Sequence, residues 1–235
     1  MAPTNTKKVS EFEHIFTSKA ECIEKRETIT QDEMVNTYDE WVEKNTYESD
    51  MAARSYYGPQ LTADTAALMF PDNRDNVRIV DMAAGTGLIA AGMRKHGFKH
   101  IDAVDPCSKA KKVAMERGLY ENYMLDFVDD RRLDIETDYY DGLVCAGAFT
   151  PGLMPSIALR EFIRVVKPGG YVCFCAPEFI IRLSTDHRDN FEPLMEKYVQ
   201  EGAWQNVLRT VIPCYFDHKL GLLYVFKVLK SEVEL

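Results

Sequence analysis

The 235-residue sequence predicts one α/β fold: an open, doubly wound, mostly parallel sheet with an antiparallel C-terminal hairpin and N-terminal helices. Two observations and a length carry that expectation. From residue 77 to 201, short apolar runs alternate with amphipathic stretches, the order of successive β-α-β units. The closing "VLRTVIPCYFDHKLGLLYVFKVL" reads as two long strands joined around residues 218–221. The chain is also long enough to bury a full core in one domain.

Each element has its own local signal. Ser10 and Glu13 have capping-box spacing ahead of Ile15, Phe16 and Ile23, which predicts a helix inside an N-terminal extension of residues 1–30. Thr30 and Glu33 repeat the signal ahead of Met34, Tyr38, Trp41 and Val42. There Tyr38 and Trp41, three apart, share a helical face. A further helix over about 60–70 runs into the turn-rich "PDNRDN". Residues 31–70 thus form a helical lid on a sheet core of residues 77–235. Strands are expected at 77–82, 100–104, 123–127, 141–146 and 171–176. Helices are expected at 88–96, 109–117, 157–166 and 190–201, with "KPGG" (167–170) as a turn.

Composition narrows the function classes. Thirty-seven acidic residues against 28 basic ones give a net charge of -9, which disfavours a broad phosphate-binding face while leaving room for a local basic groove; with no basic extension, it favours a small-molecule acceptor and no nucleic-acid partner. Six cysteines (22, 107, 145, 173, 175, 214) form no C-x-x-C pair. All but Cys22 fall in or beside expected strands, as small reduced core residues do. No apolar run approaches the roughly 20 residues of a membrane span. The N-terminus lacks the apolar stretch of a signal peptide. The expected address is cytoplasmic, with no membrane partner. The five histidines are scattered without metal-ligand spacing, so no metal is expected.

"DMAAGTG" (81–87) carries the chemistry. Gly85-Thr86-Gly87-Leu88-Ile89-Ala90 fits G-x-G-x-x-A after a strand, although a tight strand-to-helix turn with no ligand satisfies the same residues. Asp105 ends the second strand, where a Rossmann-like fold places the carboxylate that accepts from both ribose hydroxyls; a helix-capping aspartate is the bland alternative. Asp81, at the end of the first strand, would repel a pyrophosphate and attract an ammonium group. S-adenosylmethionine carries an ammonium, a sulfonium and no phosphate.

With these residues in hand, "VRIVDMAAGTGLIA" resembles the first motif of class I S-adenosylmethionine-dependent methyltransferases, with Ala83 where most members carry Gly. "AVDPCSKA" (103–110) is similar to their second motif, "YDGLVCAGAF" (140–149) to the fourth, and "VVKPGGYVCF" (165–174) to the turn into strand five. "YDEWVEKNTYESDM" (38–51) and "GAFTPGLMP" resemble the methyltransferase-like family of the Williams–Beuren syndrome critical region, with Val42 in place of the usual Ala.

The resemblance implies S-adenosylmethionine as cofactor and assigns roles by position. Gly85 and Gly87 let the loop pass close to the methionine portion, with Asp81 near its amino group, directly or through water. Asp105 holds the ribose, while Pro106 and Cys107 border the adenine. The Asp126 carboxylate takes the adenine amino group, with Phe127 offering its backbone amide, or Asp126 is an exposed loop acid among Asp129 and Asp130; Ala146 and Gly147 line the sulfonium end. Tyr38, Trp41 and Tyr47 are lid candidates over the cofactor, or a stripe packed on the core. Tyr56, Tyr57, Phe149 and Met154 are candidates for a small-molecule acceptor. No catalytic base is assigned; Tyr38, Tyr47 and His187 are positioning candidates, with a surface loop as the plainer place for His187. A nicotinamide-dependent dehydrogenase would share the glycine loop and Asp105, and a non-catalytic binding subunit would share the whole fold.

Overall fold

The computed structural model describes residues 29–232. The expected helix around residues 10–25, and Cys22 with it, lies outside them. Helices α1 (Gln31–Glu43), α2 (Tyr47–Ala53) and α3 (Gly58–Met69) precede the sheet. Then follow β1 (Arg78–Met82), α4 (Leu88–Lys95), β2 (His100–Val104), α5 (Ser108–Glu116), β3 (Tyr123–Met124), β4 (Tyr140–Ala146), α6 (Leu159–Val165), β5 (Val166–Pro177), α7 (Glu178–Leu183), α8 (Glu192–Gln200), β6 (Trp204–Phe216) and β7 (Lys219–Val228).

The seven strands lie in the order β3-β2-β1-β4-β5-β7-β6, with β7 antiparallel to both β5 and β6. β1, β2 and β4 are almost continuously buried, as strands covered by helices on both faces must be. One face packs on α3, α4 and α5 through Ala63, Met93 and Ala114. The other packs on α6 and α8 through Leu159, Phe162 and Tyr198.

Local chemistry explains most boundaries. The capping box at Thr30 forms: Glu33 N donates to Thr30 Oγ1 (3.3 Å) and Thr30 N to Glu33 Oε2 (2.9 Å). The hairpin turns on Asp217 and His218, both at positive φ (48° and 59°), the left-handed pair that a two-residue loop between twisted strands requires.

Three expectations need correction. The third strand stops at Met124 rather than 127, because it sits at the sheet edge and pairs only with β2 at Ala103 and Val104. "KPGG" is not a separate turn. It bulges out of one long β5, whose register with β4 jumps from Tyr140↔Val166 to Gly142↔Tyr171. Cys214 is exposed on edge strand β6, so the buried-core reading holds for Cys107, Cys145, Cys173 and Cys175 alone.

Candidate active site

The carboxyl ends of β1, β2 and β4 open into one cleft, where an open parallel sheet binds ligands. About 1100 Å³ of empty space lies among its lining residues, open solvent at the mouth included. Ala83, Gly85 and Thr86 of the glycine loop line it, with Asp105, Pro106 and Cys107 after β2, Phe127 and Val128 after β3, and Ala146 and Gly147 after β4. Tyr38, Tyr47 and Tyr56 face it from the lid, and Met154, Phe179, Ile180 and Tyr215 from the far wall.

Gly87 adopts φ +90°, and a Cβ there would sit 2.5 Å from Leu119 and 3.2 Å from the Tyr120 ring. No other residue type fits both demands. The loop is held from beneath: Tyr123 Oη donates to the Gly85 carbonyl (2.9 Å), and Gly85 N donates to Asp105 Oδ2 (2.9 Å). The other Asp105 oxygen accepts from Cys107 N (2.8 Å). Burial raises the Asp105 carboxyl above its ordinary range, against the pull of these two amides.

Asp81 is fully buried beneath the cleft rather than on its wall. One of its oxygens accepts from Tyr120 Oη (2.7 Å), and Oδ1 has no hydrogen-bond partner among the described residues. Burial lifts its pKa to about 7. A buried carboxylate oxygen without a donor is what a site for an ammonium-bearing ligand leaves behind, so the residues present fit S-adenosylmethionine.

The remaining candidates divide. Tyr38 and Tyr47 are half-buried on the cleft, 6.3 Å apart. Trp41, between them in the ring cluster, is buried in the core, and its indole N–H donates to Asp50 (2.8 Å). Phe149, in the loop after β4, is fully buried below the cleft against Phe162, Phe174 and Phe191. Tyr57 is half exposed and off the cleft. Asp126 also lies off it, paired with Arg131 (3.2 Å) and accepting from Phe127 N.

His187 is not on a surface loop. It is buried, its Nε2–H donating to the Met154 carbonyl (3.0 Å) and its Nδ1 bonded to Ser184 Oγ (2.9 Å), so it props the cleft wall from behind. Among the described residues no cluster suited to a metal ion occurs, and no helix is long and apolar enough to cross a membrane.

Sequence reasoning missed α7, a six-residue helix with no readable period, and Tyr215, whose place on the wall depends on the hairpin register.

Comparison with known proteins decides the family. Residues 80–174 match the family model described as "Methyltransferase domain". Methyltransferase-like protein 27 of Homo sapiens is 29% identical over 171 residues, covering 73% of this chain and 68% of its own. The chain is a class I S-adenosylmethionine-dependent methyltransferase. S-adenosylmethionine is its cofactor, and the dehydrogenase and non-catalytic readings give way. The methyltransferase is also 32% identical over 114 residues to the chloroplastic 2-methyl-6-phytyl-1,4-hydroquinone methyltransferase of Spinacia oleracea, an alignment spanning 46% of this chain and 31% of that one. Its fold resembles a Haloferax volcanii methyltransferase solved with the Trm112 activator: TM-score 0.59, 15% identity, 82% of this chain and 97% of that one.

Proposed function

We propose that the methyltransferase acts on a small, uncharged and largely apolar molecule by in-line methyl transfer. One observation carries this reading: Asp105 is the only charged side chain among the described residues that line the cleft, and no Lys, Arg or His is among them. A nucleic-acid acceptor would need cations along its phosphates, and an anionic metabolite would leave its charge unpaired on burial.

In this reading Asp105 accepts from the ribose hydroxyls, Pro106, Cys107 and Phe127 bracket the adenine, and Asp81 faces the ammonium end. Ala146 and Gly147 border the sulfonium. S-adenosylmethionine supplies an electrophilic methyl group on a cationic sulfur. The chain's own work is alignment and exclusion of water, since displacement at a methyl group gains most from a fixed approach line. Tyr38 and Tyr47 offer ring faces, which attract a cation. Met154, Phe179 and Ile180 supply the apolar wall for the acceptor.

The test is incubation with S-adenosylmethionine labelled at the methyl carbon and a cell extract split into metabolite, RNA and protein fractions. Label is expected in one or a few metabolites. Label confined to RNA or protein would refute the reading.

A further inference from the structure

Two tyrosines from opposite ends of the chain meet at the cleft. Tyr56, before α3, and Tyr215, near the end of β6, are 159 positions apart, yet their hydroxyls lie 3.3 Å from each other. Their rings pack edge to face at 5.4 Å. Three backbone segments give way to them. A Cβ on Gly58 would lie 2.6 Å from the Tyr215 ring and 2.9 Å from that of Tyr56, and one on Gly221 2.5 Å from Tyr215. A Cβ on Gly147, after β4, would collide with the Tyr56 hydroxyl and lie 3.3 Å from that of Tyr215. The pair is therefore seated at the strand-four end of the cleft, with room made for it on three sides.

We propose that the Tyr56–Tyr215 hydroxyl pair positions the acceptor, and that the atom it holds is a neutral amine nitrogen. This rests on reading the cleft as the methyl-transfer site, with the sulfonium beside Gly147.

Two observations select nitrogen. Burial holds both phenols well above their ordinary pKa, so they are neutral and act as hydrogen-bond partners, never as bases. Asp105, the one ionisable carboxylate among the described residues that line the cleft, is bonded to two backbone amides on the β2 side. A hydroxyl acceptor would need a base to take its proton in the displacement, and none is in place among the described residues that line the cleft. A neutral amine needs none: its lone pair forms the N–C bond as the S–C bond breaks and that electron pair passes to sulfur. The new ammonium then gives its proton to water. Positive charge passes from sulfur to nitrogen, where the phenol oxygens accept the N–H groups and the surrounding rings favour a cation.

Sinefungin tests this without an identified acceptor. It is an S-adenosylmethionine analogue with an amine-bearing carbon in place of the methylated sulfur, and S-adenosylhomocysteine is the matched ligand without that amine. Wild-type protein is expected to bind sinefungin at least about tenfold more tightly by calorimetry, the worth of one charge-assisted hydrogen bond. Tyr56→Phe and Tyr215→Phe, checked for folding by thermal melting, are expected to erase most of that ratio while S-adenosylhomocysteine affinity stays within about twofold. A wild-type ratio near one overturns the proposal, whether or not the variants fold. An unchanged ratio in the folded variants overturns it too, as does an equal loss for both ligands. If label from the extract experiment appears in protein or RNA while the sinefungin ratio behaves as stated, the small-molecule reading fails and the amine site stands.

Discussion

Asp81 and Asp105 sit a strand apart and do opposite things with similar burial. Asp105 has both oxygens engaged by backbone amides that shape the glycine loop. Asp105→Ala is therefore expected to lower stability by about 1–3 kcal/mol, since two amides lose their acceptor, and to weaken S-adenosylhomocysteine binding by roughly tenfold or more. Urea titration and calorimetry on the same preparation check the two effects, and an unchanged dissociation constant would remove the ribose assignment.

Asp81, with one oxygen unpartnered, is held at a cost. Its pKa stands near 7 in the fold against an ordinary value near 4, so between those pH values the folded protein binds a proton that the unfolded chain has lost. This group's contribution therefore falls as pH rises from about 4 to about 7 and is flat above. Asp81→Asn removes the ionisation and is expected to stabilise the free protein at pH 8 by about 1–3 kcal/mol while weakening cofactor binding. Denaturation at pH 8 and pH 4 gives the sign: the gain should vanish at the acid end.

The lid shows the same division among elements. Met34, Trp41 and Met51 are buried, which makes the lid part of the core, whereas Tyr38 and Tyr47 face the cleft. Lid and sheet are joined where α5 begins. That helix has no capping side chain of its own at Cys107; instead Asp39 of α1 accepts from Lys109 N (2.9 Å) and Ser108 Oγ (3.0 Å). Asp39→Ala is expected to cost about 1 kcal/mol, as loss of an N-cap does. Hydrogen exchange with S-adenosylhomocysteine is expected to add protection around residues 38–47 and little at Met34 or Met51. Uniform protection without ligand would mean the lid is permanently closed.

Which parts were legible in the sequence follows from range. The capping box at Thr30, the glycine turn at 85–87 and the strand-helix alternation are local patterns, and each stands where its residues predict it. Asp39 capping α5, Phe149 diverted into the core and Tyr215 reaching the cleft depend on packing between distant segments, which no periodicity records. His187 read as a loop residue because its neighbours are polar; its burial follows from bonds to Ser184 and Met154.

For the whole molecule, ligand binding and stability are linked, because the cleft is built from the carboxyl ends of strands that also form the core. S-adenosylhomocysteine at 100 times its dissociation constant is expected to stabilise the fold by about 2.7 kcal/mol, and NAD at the same concentration by nothing measurable. Paired melting curves check this, and an equal shift with NAD would contradict the cofactor assignment.

The hairpin turn beyond Tyr215 reaches back to the start of the molecule: Asp217 N donates to the Arg54 carbonyl (2.7 Å), and Tyr57 N to that of Tyr215 (3.1 Å). This fixes an order of events during synthesis. A chain emerging from the ribosome can pair β1 to β5 early, and Arg54, Ser55 and Tyr56 can bond locally to α2, but the Tyr57 amide and the Arg54 carbonyl wait for β6 and its turn. Contacts that close such long loops form late. The Tyr215 side of the cleft is then the last to form, and a nascent chain stopped short of residue 215 would carry the glycine loop with that side of its wall open.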